Sequence, residues 1–267
     1  MNTPRTTASS GITVSVVLPV KDDAPQLRRC LSALASQTRP PDEVVVVDNA
    51  SSDASARTAR AAGARVERCD RAGIPAAAAH GYDCARGELV LRLDADCVPD
   101  RIWVQTVIEA FERRPDVDAF SGGAHFIDGP RWLRSPLVWA YLVSYAAVAA
   151  SALGHLPLFG SNMAFRADAW QRIRSHAHLV DPGLHDDLDL AFHLGERFRI
   201  RYLPGARMGM SMRPFASRSA FLGRIAAGFR TVLVHWPHDF PPIRWTRILL
   251  RRLRNRVEIF AAARPGP

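Results

Sequence analysis

The stretch ITVSVVLPV, residues 12 to 20, decides the fold when read with the LRRCLSALASQ at 27 to 37. The first is a continuous β-branched apolar run. The second carries Leu27, Leu31 and Leu34 at helical spacing, and Lys21-Asp22-Asp23 between them forms a polar loop, so the unit reads strand, loop, helix. EVVVV at 43 to 47 runs into Asp48 and is followed by an Ala/Arg helix over 53 to 62 that Gly63 can end. A short strand near Arg65 to Arg68, an Ala-rich helix over 75 to 85 and the run ELVLRLDAD at 88 to 96 continue the alternation. Strands that are unbroken apolar runs separated by helices predict an α/β fold, a mostly parallel central sheet flanked by helices. Ligands of such sheets bind beyond the carboxyl ends of the strands, and Asp22, Asp48, Asp94 and Asp96 all fall there.

A chain of 267 residues can bury such a core without disulfides. Cys30, Cys69, Cys84 and Cys97 form no CxxC pair, so reduced thiols are expected rather than a zinc site or a disulfide framework. Residues 1 to 11 are small and polar with no apolar run, which predicts a flexible N-terminus, no secretory signal and a cytoplasmic protein. The net charge of +9, nearly all from arginine, suits anionic partners. No aromatic-basic interleaving on a recognisable module points to nucleic acid, and none is expected as a partner.

Composition changes after Arg134, with no charged residue until Arg166. Within the apolar segment 135–160, residues 137 to 153 approach the length of a membrane span but are diluted by Ala and Ser and bracketed by Pro136, Gly154 and Pro157. A membrane-surface helix, a core or dimer helix and a true crossing all remain open. The segment IRWTRILLRRLRNRVEIF sorts Arg244, Arg247, Arg251 and Arg254 to one helical face and Trp245, Leu249, Leu253, Val257 and Phe260 to the other, the pattern of a basic helix lying on an anionic membrane. That reading predicts a peripheral protein on the inner face of the cell membrane.

LRLDADCVP, residues 91 to 99, holds two carboxylates one residue apart at a strand end, which suits a hard divalent cation on a diphosphate. Taken together, VSVVLPVKDD, VVVVDNASSDAS and ARGELVLRLDADCVPD resemble the successive segments of a family 2 glycosyltransferase with the GT-A fold, over roughly residues 12 to 213. FGSNMAFRADAW at 159 to 170 and LHDDLDLAFHL at 184 to 194 are similar to its acceptor-side and catalytic-base segments. The resemblance implies an inverting, non-processive transferase acting on a UDP- or GDP-linked sugar and a hydroxyl acceptor. Asp94 and Asp96 would hold Mg2+ or Mn2+. Pro19, Val20, Asp22, Asp48, Ala95 and Arg213 would complete the donor side, with Gly160, Ser161, Asn162 and Asp186 in the acceptor pocket and Asp187 as the base. The apolar segment and basic tail point to a lipid-linked or cell-envelope acceptor.

The chain departs from the family where many relatives carry an Arg-Asn pair; here the residues are Ala78 and Ala79, which leaves a donor contact missing or supplied by His80. It also lacks the QxxRW signature of channel-forming relatives. A nucleotidyltransferase would need a Gly-rich basic loop after the first strand, and VKDDAPQL is acidic without glycine. A decayed sugar-nucleotide scaffold remains the non-catalytic alternative. Residues 12–215 are expected to form the catalytic domain, 12–100 its nucleotide-sugar half and 101–215 its acceptor half, with 216–267 a basic helical extension.

Overall fold

The computed structural model describes residues 11–178, 181–215 and 217–262. Eight strands appear in chain order: β1 Val14–Val20, β2 Glu43–Asp48, β3 Arg65–Arg68, β4 Leu89–Arg92, β5 Val98–Pro99, β6 Ala119–Phe126, β7 Met163–Arg166 and β8 Ile200–Met210. The helices are α1 Ala24–Ala35, α2 Ser55–Ala61, α3 Ile74–Cys84, α4 Trp103–Arg113, α5 Arg131–Leu153, α6 Ala167–Ile173, α7 Asp186–Arg197, α8 Arg218–Val234 and α9 Pro241–Ala262. All strands join one sheet in the order β3-β2-β1-β4-β7-β6-β8-β5. Its first half is wholly parallel, as the apolar runs predict. β7 enters antiparallel between β4 and β6, and β6 pairs β8 in parallel.

Alternation along β1 divides the core between the two faces of the sheet. Val14, Val16, Leu18 and Val20 pack with Leu27, Leu31 and Leu34 of α1 and Trp103 and Val104 of α4. Val17 packs on the other face with Ala76, Ala77 and Ala78 of α3 and with Leu188 and Leu190 of α7. α3 can approach the sheet closely because Gly81 has no side chain: a Cβ there would lie 2.4 Å from Val17 Cγ1. All four cysteines are free thiols, as expected.

The pairings place the functional loops. The carboxyl ends of β1, β2 and β4 share one edge. Because Met163 at the start of β7 faces Arg92 at the end of β4, the turn immediately before β7 is delivered to that same edge. The parallel β6 and β8 end there too, bringing Met210 and the residues after it.

The C-terminal helix reverses one expectation. Arg244 is wholly buried, not exposed to a membrane. It donates to the carbonyls of Leu153 and Phe192 at 2.8 and 2.7 Å, pairs with Asp239 at 3.2 Å and lies over the Phe192 ring. Leu153 is the last residue of α5, where helix carbonyls lack partners and a cation is favoured. Arg247 pairs with Glu196 and Asp239, and Arg251 donates to the Glu196 carbonyl. Three of the four arginines of that face, Arg244, Arg247 and Arg251, are thus packed, while Arg254 is exposed together with Ile243, Trp245, Leu249, Leu250 and Leu253. The side chains of Val257 and Phe260, and residues 1 to 10 of the N-terminus, lie outside the described residues.

α5 is not a core helix buried on all sides, since Trp132, Trp139, Val143 and Val148 face outward. By length and composition it is the one helix among the described residues that could cross a membrane.

Candidate active site

A cleft of about 860 Å3 opens at the shared strand edge, lined by residues from both halves of the sheet. Pro19, Val20 and Asp22 form one wall with Asn49, Gly73 and Ile74; Asp94, Ala95 and Asp96 lie at its floor. Gly160, Ser161, Asp186, Asp187 and Arg213 complete it, joined by Tyr141 of α5 and by Gly223, Arg224 and Ala227 of α8.

Two expected residues stand elsewhere. Asp48 is buried at the end of β2, where it accepts from Ser51 N at 3.2 Å, and its neighbour Asn49 lines the cleft instead. Asn162 belongs to the scaffold. Its amide donates to the carbonyls of Gly123 and Ala206 at 2.7 and 2.8 Å, beside the register shift between β6 and β8, and it accepts from Trp103 Nε1 at 2.9 Å. His80 does not fill the gap left by Ala78 and Ala79. It faces Cys84 Sγ at 3.8 Å, away from the cleft, and Ala78 is part of the core.

Asp22 acts on the loop beyond β2. Its Oδ1 accepts from Ser52 N and Ser52 Oγ at 2.6 and 2.9 Å, bonds that lower its pKa, and its backbone takes a left-handed φ of 50°. This residue therefore fixes the loops after β1 and β2 to each other.

The carboxylates on the floor are held from several directions. Asp94 accepts from Ser161 Oγ at 2.6 Å and pairs with Arg92 at 2.9 Å. Asp96 pairs with Arg213 at 3.0 Å, and the same guanidinium reaches Asp23 at 2.6 Å. Burial, and after it the charge of Asp94, raises the pKa of Asp96. A cation between the two would remove that penalty.

Asp94, Asp96 and Cys97 offer ligand atoms within 4.8 Å of one another. Burial keeps the Cys97 thiol protonated, so the effective donors are carboxylate oxygens. Oxygen donors fit a hard ion such as Mg2+ or Mn2+.

The acidic pair opens α7, with carboxylates in the first turn where the helix dipole favours them. Asp187 Oδ2 accepts from Gly160 N at 2.8 Å, Oδ1 accepts from Leu188 N at 2.8 Å, and His185 Nδ1 stands 3.6 Å away. Burial alone would raise Asp187, but the His185 and Gly160 contacts and Arg92 hold it below the ordinary carboxylate value. Its neighbour moves the other way. Burial, with Asp187 and Asp94 adding to it against the pull of Arg92, pushes Asp186 up to about 6. Two adjacent carboxyls are thus separated into an ionised one and one that readily holds a proton.

Arg92 had no role in the sequence reading, because a cationic residue inside a strand reads as a surface position. Here it is 3% exposed and bridges Asp94 at 2.9 Å and Asp186 at 3.2 Å. Its Nε and the Asp186 Oδ2 are buried without a hydrogen-bond partner among the described residues. The only local hint was its position two residues before Asp94.

Comparisons with known proteins bear on the fold and the family. The curated Glycosyltransferase AglE of Haloferax volcanii is 31% identical over 121 residues, 42% of this chain. That match spans only 40% of the relative's length. Among solved structures, glucosyl-3-phosphoglycerate synthase from Mycobacterium tuberculosis, in complex with Mn2+, UDP and glucosyl-3-phosphoglycerate, superposes with a TM-score of 0.63 at 19% identity, covering 84% of this chain and 80% of that one. Mannosyltransferase PcManGT from Pyrobaculum calidifontis, in complex with GDP-Man and Mn2+, gives 0.62 at 20% identity over 97% of this chain and 78% of that one. At these identities the likeness carries the fold, which is the expected GT-A fold. The model of glycosyl transferase family 2 matches residues 15–174, more than half of the sequence, a range that takes in β2 to β7, Asp94, Asp96 and the Gly160 turn, so the chain belongs to glycosyl transferase family 2.

Proposed function

We propose that the protein transfers a sugar from a nucleoside diphosphate sugar to a hydroxyl acceptor with inversion at the anomeric carbon, with Asp187 as general base. One observation carries this reading: consecutive residues of a single turn hold both halves of the site, Gly160 N on Asp187 and Ser161 Oγ on Asp94. Asp94 and Asp96 would hold a divalent cation, which supplies charge to offset the departing diphosphate. Arg213, half exposed and spanning Asp96 and Asp23, is free to turn a donor toward the same phosphates. The attacking hydroxyl loses its proton to ionised Asp187, and no covalent nucleophile is needed. The nucleotide-sugar half is assigned to residues 12–100, the acceptor half to 101–215 and the basic helical extension to 216–267.

Calorimetric titration with UDP and with GDP, each with and without Mn2+, tests the donor side and identifies its base. Metal-dependent binding is expected, weakened in Asp96→Ala by at least the roughly 10–100-fold that loss of an outer partner of a metal ligand costs. Absence of binding to either nucleotide would reject the donor assignment and favour a decayed transferase.

The acceptor is proposed to be lipid-linked, and the protein to sit peripherally on the cytoplasmic face of the membrane. The walls formed by α5 and α8 support this, since each lends residues to the cleft while turning apolar side chains outward, Trp139 and Val143 on α5 and Leu222 and Phe229 on α8. With Arg244, Arg247 and Arg251 packed inward, binding rests on apolar insertion more than on charge. Co-flotation of the full chain with anionic phospholipid vesicles should survive added salt and be lost in the Trp139→Glu/Leu250→Glu double variant. A wild-type chain that stays unbound at every lipid concentration would rule out this acceptor class.

A further inference from the structure

Three histidines and one aspartate meet away from the cleft. Asp189 lies in the first turn of α7 and is wholly buried, His193 is one turn further along the same helix, His235 follows α8, and His178 precedes α7. Their nitrogens converge on one oxygen. His178 Nδ1, His235 Nε2 and His193 Nε2 stand 3.0, 3.3 and 3.6 Å from Asp189 Oδ1. The three rings surround that oxygen evenly, with centroids 5.5, 4.9 and 5.2 Å apart in pairs.

Hydrogen bonding leaves part of this cluster unaccounted for. His235 is 5% exposed, and its Nδ1 lies 2.7 Å from the Thr231 carbonyl, which only a protonated Nδ1 can satisfy. Its Nε2 in the neutral ring is therefore a lone pair aimed at a carboxylate. Neither His235 Nε2 nor His193 Nε2 has a hydrogen-bond partner among the described residues, although both atoms are buried. Two acceptors that face each other inside a protein need a proton or a metal ion between them, and with three imidazoles converging on one carboxylate oxygen a single metal ion serves all of them at once. A ring whose far nitrogen donates to a backbone carbonyl is also how metal-bound histidines are oriented.

The geometry points to a structural zinc site formed by His178, Asp189, His193 and His235. The four residues offer ligand atoms within 4.8 Å of one another. For zinc with bonds of about 2.0–2.1 Å in a tetrahedron, ligand atoms lie roughly 3.3 Å apart. The three measured separations average that value. Three imidazoles and one carboxylate form a mixed nitrogen and oxygen set that suits zinc, whereas the Asp94 and Asp96 oxygens suit a harder ion. Four protein ligands close the site to substrate, so its role is to clamp. It would tie the helix that begins with Asp186 and Asp187 to the end of α8, whose earlier turns line the cleft.

The site makes no use of the donor reading and can be tested separately from it. The full chain, expressed in zinc-containing medium and dialysed without chelator, should retain about one equivalent of zinc. Asp96→Ala should retain the same amount, whereas His193→Gln and His235→Gln should lose it. If those variants fold poorly, the wild-type chain still decides the matter. After removal of zinc, Co2+ should give the intense visible absorption of a tetrahedral ion, and zinc should raise the Tm of the stripped protein. A chain that carries no transition metal, shows no tetrahedral Co2+ spectrum and has a Tm indifferent to zinc would overturn the assignment. A spectrum that persists in both histidine variants but vanishes in Asp96→Ala would do the same.

Discussion

Asp187→Asn is expected to lower the turnover of donor and acceptor by about 10²–10⁴-fold, the range that loss of a positioned general base produces. Nucleotide affinity should remain, because on the proposed function Asp187 serves the acceptor while Asp22, Asp94 and Asp96 serve the donor. The substitution removes a charge and also disturbs two bonds. Asp187 accepts from both Gly160 N and Leu188 N, and an amide has only one oxygen to offer them. A loss of about 1–3 kcal/mol in stability is therefore expected beside the catalytic loss. Release of UDP or GDP under saturating donor, measured together with nucleotide titration and a denaturation curve, separates the two effects. Turnover at the wild-type rate would remove Asp187 as the base.

Arg92→Met is expected to be the most destabilising single change in the cleft. Removing one partner from a buried ion pair costs about 3–5 kcal/mol, since the remaining charges are left uncompensated. Here two carboxylates lose their common partner at once. The cost depends on pH with a definite sign. Burial already raises Asp186 to about 6 against the pull of Arg92, and without the guanidinium it rises further. A carboxyl whose folded pKa lies above its unfolded value favours folding at low pH and opposes it as pH rises through the folded pKa. The deficit relative to wild type should therefore be largest near pH 8 and shrink toward about pH 5. Guanidinium denaturation at both values measures this. A deficit below about 1 kcal/mol, or one that grows on acidification, would show that Arg92 is not the common counter-ion.

The parallel half of the fold was legible because its central strands are buried on both sides and so carry unbroken apolar runs, as in residues 16 to 20 and 44 to 47. The antiparallel β7, only four residues long, gave no comparable signal, yet its pairing with β4 sets Gly160 and Ser161 beside the aspartates. The resemblance to the family supplied those residues, and the strand register explains their position. Arg244 misled the sequence reading for a physical reason. Amphipathic spacing reports that two faces differ, not which one is packed, and an arginine can be buried where helix-end carbonyls and Asp239 receive it. The histidine cluster was invisible for another reason. Asp189 and His193 share one helix face, but His178 and His235 come from separate segments at no ligand spacing to them, and only the packing of α7 against the end of α8 unites the four.

The turn before β7 also bears on how such an enzyme could be redesigned. On the proposed function its two neighbouring residues brace groups that serve opposite substrates, and a Cβ on Gly160 would come within 2.1 Å of Arg92 and 3.1 Å of Asp187. Displacements of about 1 Å at reacting groups can cost about 10²-fold in rate. Donor and acceptor preference would consequently not be modular at this point in the chain. On that reading, a change made here to admit a different sugar would move the machinery for the incoming alcohol as well, so retargeting the two substrates independently would have to begin elsewhere in the cleft lining, at Asn49 and Ile74 for the proposed donor side and at Tyr141 and Arg224 for the proposed acceptor side.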